Sequence, residues 1–358
     1  MKILHLIQKP QNRGAEMFTC QLSNNLIKSG HQVKIIVLFE GEATLPFKGE
    51  MLSLKASAKK RFFDVSVWKK IDCIVKEFNP DIIQANAGDT LKYAVFSKQL
   101  FGWKNPIVFR NASEISRYLK YPIQKGLNSF FYRNVDFIIS VSKASERDIL
   151  NTFPFLSGKT EVIPVGLEPI SKIEEISLKP EAGFQHIVHV GGFSFEKNHS
   201  GLLRIFQSVL KSKPNVHLHL VGDGPMRAQI EDEVKKMKLA QNITFYGFVN
   251  NPLAFIKAAD VLVLPSIIEG LPGVLLEAMM YKTPVIAYNV GGISEIVTSQ
   301  TGKIIEKCDE AGFVKAVLET LENPNLEQIE AAQRMVLKEY RNEEIALKFI
   351  EVYKAVIR

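Results

Sequence analysis

The stretch Val261-Leu262-Val263-Leu264-Pro265-Ser266-Ile267-Ile268-Glu269-Gly270-Leu271-Pro272-Gly273-Val274-Leu275-Leu276-Glu277-Ala278-Met279 carries the fold in miniature. Val261–Leu264 is a strand-length apolar run and the residues from Leu275 read as a helix, so the loop between them is a strand-to-helix turn. Pro272 suits the first helical turn, where a missing N–H costs nothing, and Gly270 and Gly273 let a ligand approach the backbone. A helix N-terminus built from small residues is a ready anion site. Glu269 stands in the loop and Glu277 about a turn and a half inside the helix. Two carboxylates then flank a backbone suited to phosphate, and carboxylates accept hydroxyl hydrogen bonds of the kind that sugars offer. The spacing alone is equally compatible with a Glu269 that caps the helix and a Glu277 on its solvated face.

The same alternation runs outward in both directions. Lys2–Ile7, Gln32–Leu38, Asp81–Gln84, Ile107–Phe109 and Phe137–Val141 read as buried strands with helical patterns between them. Strands joined by helical crossovers form parallel sheets, so the first half is an α/β domain. After Pro164-Val165-Gly166-Leu167-Glu168-Pro169 the chain to Phe184 is rich in Glu, Lys, Ser and Ile without periodicity, as in a surface linker. This divides the chain into domains 1–170 and 171–358. Ile187–Val190, Val216–Val221, Ile243–Phe245, Val261–Leu264 and Val285–Ala287 then restart the strand pattern, with helices expected near Ser200–Lys211, Met226–Met237 and Leu275–Tyr281. The tail from Asp309 to Arg358 has three helical stretches and no convincing strand, and is expected to cover a sheet face or return toward the first domain. Sheets of this kind bind ligands in the loops at the carboxyl ends of their strands.

Three further strand-to-helix turns could carry chemistry. Val190-Gly191-Gly192-Phe193-Ser194-Phe195-Glu196-Lys197-Asn198 offers a glycine pair and a mobile point charge, Lys197, suited to a pyrophosphate. Val221-Gly222-Asp223-Gly224-Pro225 reads by itself as plain turn chemistry. Gln11-Asn12-Arg13-Gly14-Ala15-Glu16 follows the first strand, and its Arg13 and Gly14 suit a phosphate contact. Neither half contains a G-x-G-x-x-G fingerprint or a P-loop, which counts against an ordinary dinucleotide dehydrogenase. His217 and His219 alternate on a strand without a third ligand at suitable spacing, so they and His186 and His189 read as ordinary strand residues rather than metal ligands.

Taken together these segments resemble the retaining glycosyltransferases of family 4, which have the GT-B fold of two Rossmann-like domains facing across a cleft. The most specific match is Glu269, seven residues, then Glu277 in the context Pro-Ser-x-x-Glu-Gly-x-Pro, followed by Thr283-Pro284-Val285-Ile286-Ala287 and Gly291-Gly292-Ile293-Ser294-Glu295. Tyr246-Gly247-Phe248-Val249 and Ile163-Pro164-Val165-Gly166-Leu167 match in order and spacing. The resemblance implies that Glu269 contacts the transferred sugar, with the backbone of Gly270, Leu271, Pro272 and Gly273 near sugar and diphosphate. It implies that Glu277 binds the nucleotide ribose, that Lys197 beside Gly192 neutralises the leaving diphosphate, and that Gly222, Phe248 and Val249 line the nucleobase pocket. Gly14 would close the site from the first domain. The donor implied is a UDP-, GDP- or ADP-sugar, with no cofactor and no metal, and transfer follows a front-face route in which a leaving phosphate oxygen helps deprotonate the acceptor hydroxyl. The acceptor implied is a glycan or lipid-linked hydroxyl, in cell-surface polysaccharide or glycolipid synthesis.

Two departures accompany the match. The family's Gly-Arg-Leu is here Gly191-Gly192-Phe193, so a second phosphate-binding cation is missing unless Arg13 replaces it. The family's His after Ile107–Phe109 is here Arg110-Asn111-Ala112-Ser113, so Arg110 or Asn111 would serve in its place. Two alternatives stay open: a nucleotide-sugar epimerase, which shares the two-domain architecture, and a non-catalytic binding or partner subunit, to which the two departures point.

Composition sets the remaining bounds. The 358 residues are 46% hydrophobic and 23% charged, enough to fill two cores. No apolar run reaches the eighteen or so residues of a spanning helix, and Met1-Lys2-Ile3-Leu4-His5-Leu6-Ile7 lacks the pattern of an export signal, which predicts a cytoplasmic protein. Cys20, Cys73 and Cys308 are too scattered for a disulfide framework or a zinc finger. Through Ile170 the chain has 24 Lys plus Arg against 15 Asp plus Glu, whereas the rest has 21 against 23. The basic half attracts phosphates in some form, but no nucleic-acid recognition motif is present. Lys55, Lys59, Lys60, Arg61, Lys69 and Lys70 interleave with Phe62, Phe63 and Trp68, and Arg117-Tyr118-Leu119-Lys120-Tyr121 and Phe130-Phe131-Tyr132-Arg133 repeat the mixture. Such surfaces suit peripheral contact with an anionic membrane, unless the aromatics lie in the core and only the cations in water.

Overall fold

The computed structural model describes residues 1–11, 13–41, 43–60, 63–169, 173–179 and 183–358. They form two compact units: Met1–Glu168 with Asn342–Arg358, and Pro169–Arg341. Among the sequence features singled out above, Asn12, Arg61 and Phe62 lie outside the described residues, as do Ile170 and Ser171, where the boundary between the domains is expected.

The first unit is a seven-stranded parallel sheet of β1 (Lys2–Ile7), β2 (Gln32–Val37), β3 (Glu50–Ser53), β4 (Ile82–Ala85), β5 (Ile107–Asn111), β6 (Phe137–Ser140) and β7 (Thr160–Val162). Its order is β3-β2-β1-β4-β5-β6-β7. Helices α1 (Gly14–Lys28), α2 (Val65–Phe78), α3 (Gly88–Phe101), α4 (Pro122–Arg133) and α5 (Lys143–Thr152) make the crossovers. Because helices cover both faces, the strands read as near-continuous apolar runs rather than as alternations. Leu4, Leu6, Ile83, Ala85, Ile107 and Phe109 pack with Trp68, Tyr93, Phe131 and Tyr132 in the main core.

The second unit has a six-stranded parallel sheet of β8 (Gln185–Val190), β9 (Val216–Val221), β10 (Ile243–Gly247), β11 (Val261–Leu264), β12 (Val285–Tyr288) and β13 (Lys303–Ile305). Its order is β10-β9-β8-β11-β12-β13. Its helices are α6 (His199–Ser212), α7 (Arg227–Lys236), α8 (Pro252–Ala258), α9 (Gly273–Met280), α10 (Glu310–Glu322) and α11 (Leu326–Glu339). The last helix, α12 (Asn342–Ile357), belongs to the first unit, where the Asn342 amide donates to the Leu167 carbonyl at 3.0 Å and the ring of Phe349 lies 6.0 Å from that of Phe18.

The central strands fall where their apolar runs place them, and three edge strands, β3, β7 and β13, add to the sequence expectation. An edge strand pairs on one side only and buries little, so a short one need not be apolar. Thr160-Glu161-Val162 and Glu50-Met51-Leu52-Ser53 have no fully buried residue. In both sheets the chain reverses direction of winding between neighbouring strands, β1 and β4 in one and β8 and β11 in the other. The crevice outside such a switch point is where open α/β sheets take their ligands.

Candidate functional site

The loops that leave β8 and β11 meet at the switch point of the second unit. They are joined by their backbones: the Ile267 N–H donates to the Glu196 carbonyl at 2.8 Å, and Asn198 Nδ2 donates to the Pro265 carbonyl at 3.0 Å. Asn198 takes a left-handed conformation, φ 54°, a strained choice for most residues but tolerated by Asn. The result brings Lys197 Nζ to 2.6 Å from Glu269 Oε1, with side chains only 21% and 10% exposed. A charge pair this sheltered from water is screened far less than a surface pair, and its carboxylate depends on the one cation.

Glu277, on the second turn of α9, differs. Among the described residues its carboxylate has no hydrogen-bond or ion-pair partner, and burial alone raises it to about 7. A half-buried carboxylate without a donor is suited to receive hydroxyl groups. Between these two acids, Pro272 precedes the first turn of α9 without a side-chain cap, and an atom added at Gly273 Cα would meet nothing within 4 Å, so the N-terminus of α9 is open to a ligand.

Two glycines hold this geometry. Gly291 has φ 55°, and a Cβ there would sit 2.0 Å from the Glu269 carbonyl oxygen, while the neighbouring Gly292 N–H donates to the Gly270 carbonyl at 2.7 Å. Gly222 has φ 134°, and a Cβ there would sit 2.1 Å from the Gly191 carbonyl oxygen. Gly291→Ala is therefore expected to push the Glu269 loop away from Lys197 and lower turnover by roughly tenfold or more, through both the clash and the strained φ. A steady-state assay checks this, with near-UV circular dichroism to show that the second unit remains packed; full activity would show that the loop adjusts freely.

Phe193 replaces the expected third residue of the family's loop pattern and is fully buried, with its ring 4.1 Å from that of His199 and nearly parallel to it. His199 in turn lies edge-on to His189 at 4.8 Å. Burial depresses His199 to about 2 and His189 to about 4, so both are neutral near pH 7. His189 Nδ1 is tied to the Val263 carbonyl at 2.9 Å, and a Cβ on Gly191 would lie 3.2 Å from its Nε2. His189 is a strand residue of β8 that also forms the floor under the glycine pair. The signal in the sequence was its place one residue before Val190-Gly191. Gly192 is half-buried, Phe248 is 57% exposed and Val249 half-buried at the turn after β10, where the Gly222 N–H donates to the Gly247 carbonyl at 2.9 Å.

His186, His217 and His219 share one face of β8 and β9. His186 Nδ1 lies 3.0 Å from His219 Nε2, and His219 Nδ1 lies 3.0 Å from the Tyr246 hydroxyl. Among the described residues, no three of His, Cys, Asp or Glu are placed to hold a metal ion.

In the first unit, Arg13 precedes α1 without a side-chain cap, and it and Gly14 are exposed. Asn111 is fully buried, and its Nδ2 donates to Ser140 Oγ and to the Ser145 carbonyl, at 3.3 and 3.1 Å, which anchors the start of α5. Arg110 is 2% exposed and points to the opposite face of the strand, where its guanidinium stacks 4.4 Å from the Phe18 ring. Among the described residues, its Nε and Nη1 and Glu16 Oε2 have no hydrogen-bond partner. Burial lowers Arg110 to about 10 and raises Glu16, and the charge of each opposes the shift of the other. On the same face, His5, Gln84 and Tyr353 form a buried chain in which the Tyr353 hydroxyl donates to Gln84 Oε1 at 2.5 Å. Sequence reasoning found Arg110 but not this polar layer, because His5 and Gln84 stand singly between apolar neighbours in their strands and nothing in their spacing shows that β1 and β4 lie side by side.

The sequence model described as Glycosyl transferases group 1 matches residues 172–341, and that described as Glycosyltransferase Family 4 matches residues 12–169. The chain belongs to the family 4, group 1 glycosyltransferases. An uncharacterized glycosyltransferase of Methanocaldococcus jannaschii is 28% identical over 61% of this chain, a match that spans only 58% of that relative's length. The lipopolysaccharide core biosynthesis glycosyltransferase LpsD of Rhizobium meliloti is 26% identical over 92% of this chain and 90% of its own. Among solved structures, HepE of Anabaena in complex with UDP-glucose superposes with a TM-score of 0.79 at 18% identity, covering 99% of this chain and all of that one. At that identity the likeness bears on the fold, and the fold is that of the GT-B glycosyltransferases.

Proposed function

We propose that this glycosyltransferase moves a sugar from a nucleotide-sugar donor, a UDP-, GDP- or ADP-sugar, to a hydroxyl of a glycan or lipid-linked acceptor, in cell-surface polysaccharide or glycolipid synthesis. The observation that carries the proposal is the sheltered Lys197–Glu269 pair beside the unpartnered Glu277 and the open start of α9. Family membership, the lipopolysaccharide role in the name of LpsD and the UDP-glucose in the HepE structure support it.

In this reading Glu277 accepts hydrogen bonds from the ribose and Glu269 from the sugar. As the bond between the anomeric carbon and the phosphate oxygen breaks, the Lys197 ammonium and the α9 backbone meet the charge growing on the diphosphate, fixed in place before the reaction. The acceptor oxygen bonds to the anomeric carbon on the face the diphosphate leaves, and a diphosphate oxygen takes the acceptor's proton. The configuration is retained, and neither metal nor cofactor takes part.

The test is a melting-temperature screen of the purified protein against UDP, GDP, ADP, CMP and their sugar conjugates, repeated with Glu277→Ala. A nucleotide at a hundred times its Kd stabilises by about 2.7 kcal/mol. One base is expected to raise the melting temperature of the wild type and not that of the variant, after which anomeric configuration and EDTA insensitivity are read from the product of a turnover assay. No shift with any nucleotide would overturn the donor assignment.

A further inference from the structure

The mixed basic and aromatic segments of the first unit divide into two groups. Trp68, Phe131 and Tyr132 are core residues, 7%, 1% and 2% exposed. Ile123, Leu127 and Phe130, at successive helical positions of α4, remain on the surface with Tyr118 and Tyr121 just before it, and Ile123 is 81% exposed. An apolar stripe one helix turn after another, open to water, is a liability unless something covers it. Four cations, Arg117, Lys120, Lys125 and Arg133, accompany it, and no acid occurs from Ile115 to Val135. Among the described residues, the Lys120 and Lys125 ammonium groups make no hydrogen bond or ion pair.

We infer that α4 and the segment leading into it dock on an anionic lipid bilayer. A protein partner would ordinarily offer carboxylates at fixed points for fixed partners, whereas loose cations around a continuous apolar stripe match a fluid surface of phosphate headgroups over hydrocarbon. The topology supports this occupant. The crossover through α4 begins at the carboxyl end of β5 and that through α2 begins at the carboxyl end of β3, and both helices pack on the same core. Phe63 and Val65, 81% and 52% exposed beside Lys59 and Lys60, therefore stand at the same edge and on the same side of the sheet as Tyr121 and Ile123. Two apolar contacts ringed by cations give the plane of a membrane, and the edge they share is the one whose loops lie at the ligand-binding end of the sheet. An acceptor held in that membrane would reach those loops without leaving the bilayer. No helix among the described residues is long and apolar enough to cross it, so the contact is peripheral.

The inference rests on the surface of the first unit alone, and its test uses neither donor nor acceptor. The full chain is sedimented with vesicles of phosphatidylcholine alone and of phosphatidylcholine with phosphatidylglycerol, at low and high salt. The wild type is expected to bind the anionic vesicles and to be released by salt. Each surface cation is worth roughly fivefold in partition, so Lys120→Glu with Lys125→Glu is expected to lose at least about 25-fold. Leu127→Glu, which leaves every cation in place, is expected to lose binding to the anionic vesicles already at low salt, and Lys315→Glu on α10 to lose none. All four side chains are exposed, and circular dichroism confirms that the variants fold. Wild type that stays in the supernatant, or undiminished binding by Leu127→Glu or by the Lys120→Glu, Lys125→Glu variant, would overturn the inference. So would a dimer in analytical ultracentrifugation that Leu127→Glu dissolves while vesicle binding is absent, since the stripe would then be covered by a second copy.

Discussion

Glu269→Ala is expected to lower kcat/KM for sugar transfer by at least about a hundredfold, or about 2.7 kcal/mol of transition-state stabilisation, in a protein that still folds. The carboxylate lies 2.6 Å from Lys197, and neither group has another ion-pair partner among the described residues. Lys197→Ala is expected to cost as much, for two reasons that act together. It removes the cation that would meet the leaving diphosphate, and it strands a carboxylate that is 10% exposed without the partner that holds it toward the sugar. Because each residue fixes the other, the double variant is expected to be little worse than either single one. A double-mutant cycle in steady-state kinetics measures this. Losses that add would mean that the two act on separate parts of the donor. A loss below about tenfold for Glu269→Ala would return weight to a non-catalytic partner subunit built on the same fold.

The strands that are covered on both faces were legible in the sequence because burial on both sides favours unbroken apolar runs, as in Val261–Leu264 and Val285–Tyr288. The site was legible wherever a residue type does work that the backbone cannot: the glycine pair before Lys197, and the two acids seven residues apart around Pro272. What sequence could not give was partnership. Nothing in the spacing of Lys197 and Glu269, 72 residues apart, announces that they touch, because their contact depends on β8 and β11 lying side by side. Nor does spacing separate Trp68, which packs 4.8 Å from Phe96, from Phe63, which stands in water. Both stand within a few residues of lysines, and what decides between core and surface is that Trp68 lies on the buried face of α2 whereas Phe63 precedes the helix. The buried His5–Tyr353–Gln84 chain was hidden for the same reason, since its members are 348 and 269 residues apart.

Glu277→Gln is expected to move stability and binding in opposite directions. Burial raises the Glu277 carboxyl from an ordinary 4.5 to about 7. A folded-state value above the unfolded one means that the folded protein holds this proton more tightly, so the associated stability is full below about pH 4.5 and is lost as pH rises through 7. At pH 8 the ionised group is an unpaired, half-buried charge that costs about 1–3 kcal/mol. Glutamine carries no charge, so the variant is expected to melt higher than the wild type at pH 8, with the difference vanishing near pH 4. Nucleotide binding should show the reverse. Ribose hydroxyls favour the ionised acceptor, so wild-type affinity is expected to fall about tenfold per unit as pH drops below 7, and the variant to bind more weakly with no such dependence. Calorimetry of the nucleotide found in the melting screen, run from pH 5.5 to 8.5 on both proteins, separates the two effects. A Glu277→Gln protein that is less stable at pH 8 and binds as tightly as the wild type would make Glu277 a packing residue. A more stable protein that has lost its ligand would mark it as a charge the fold tolerates for the sake of binding.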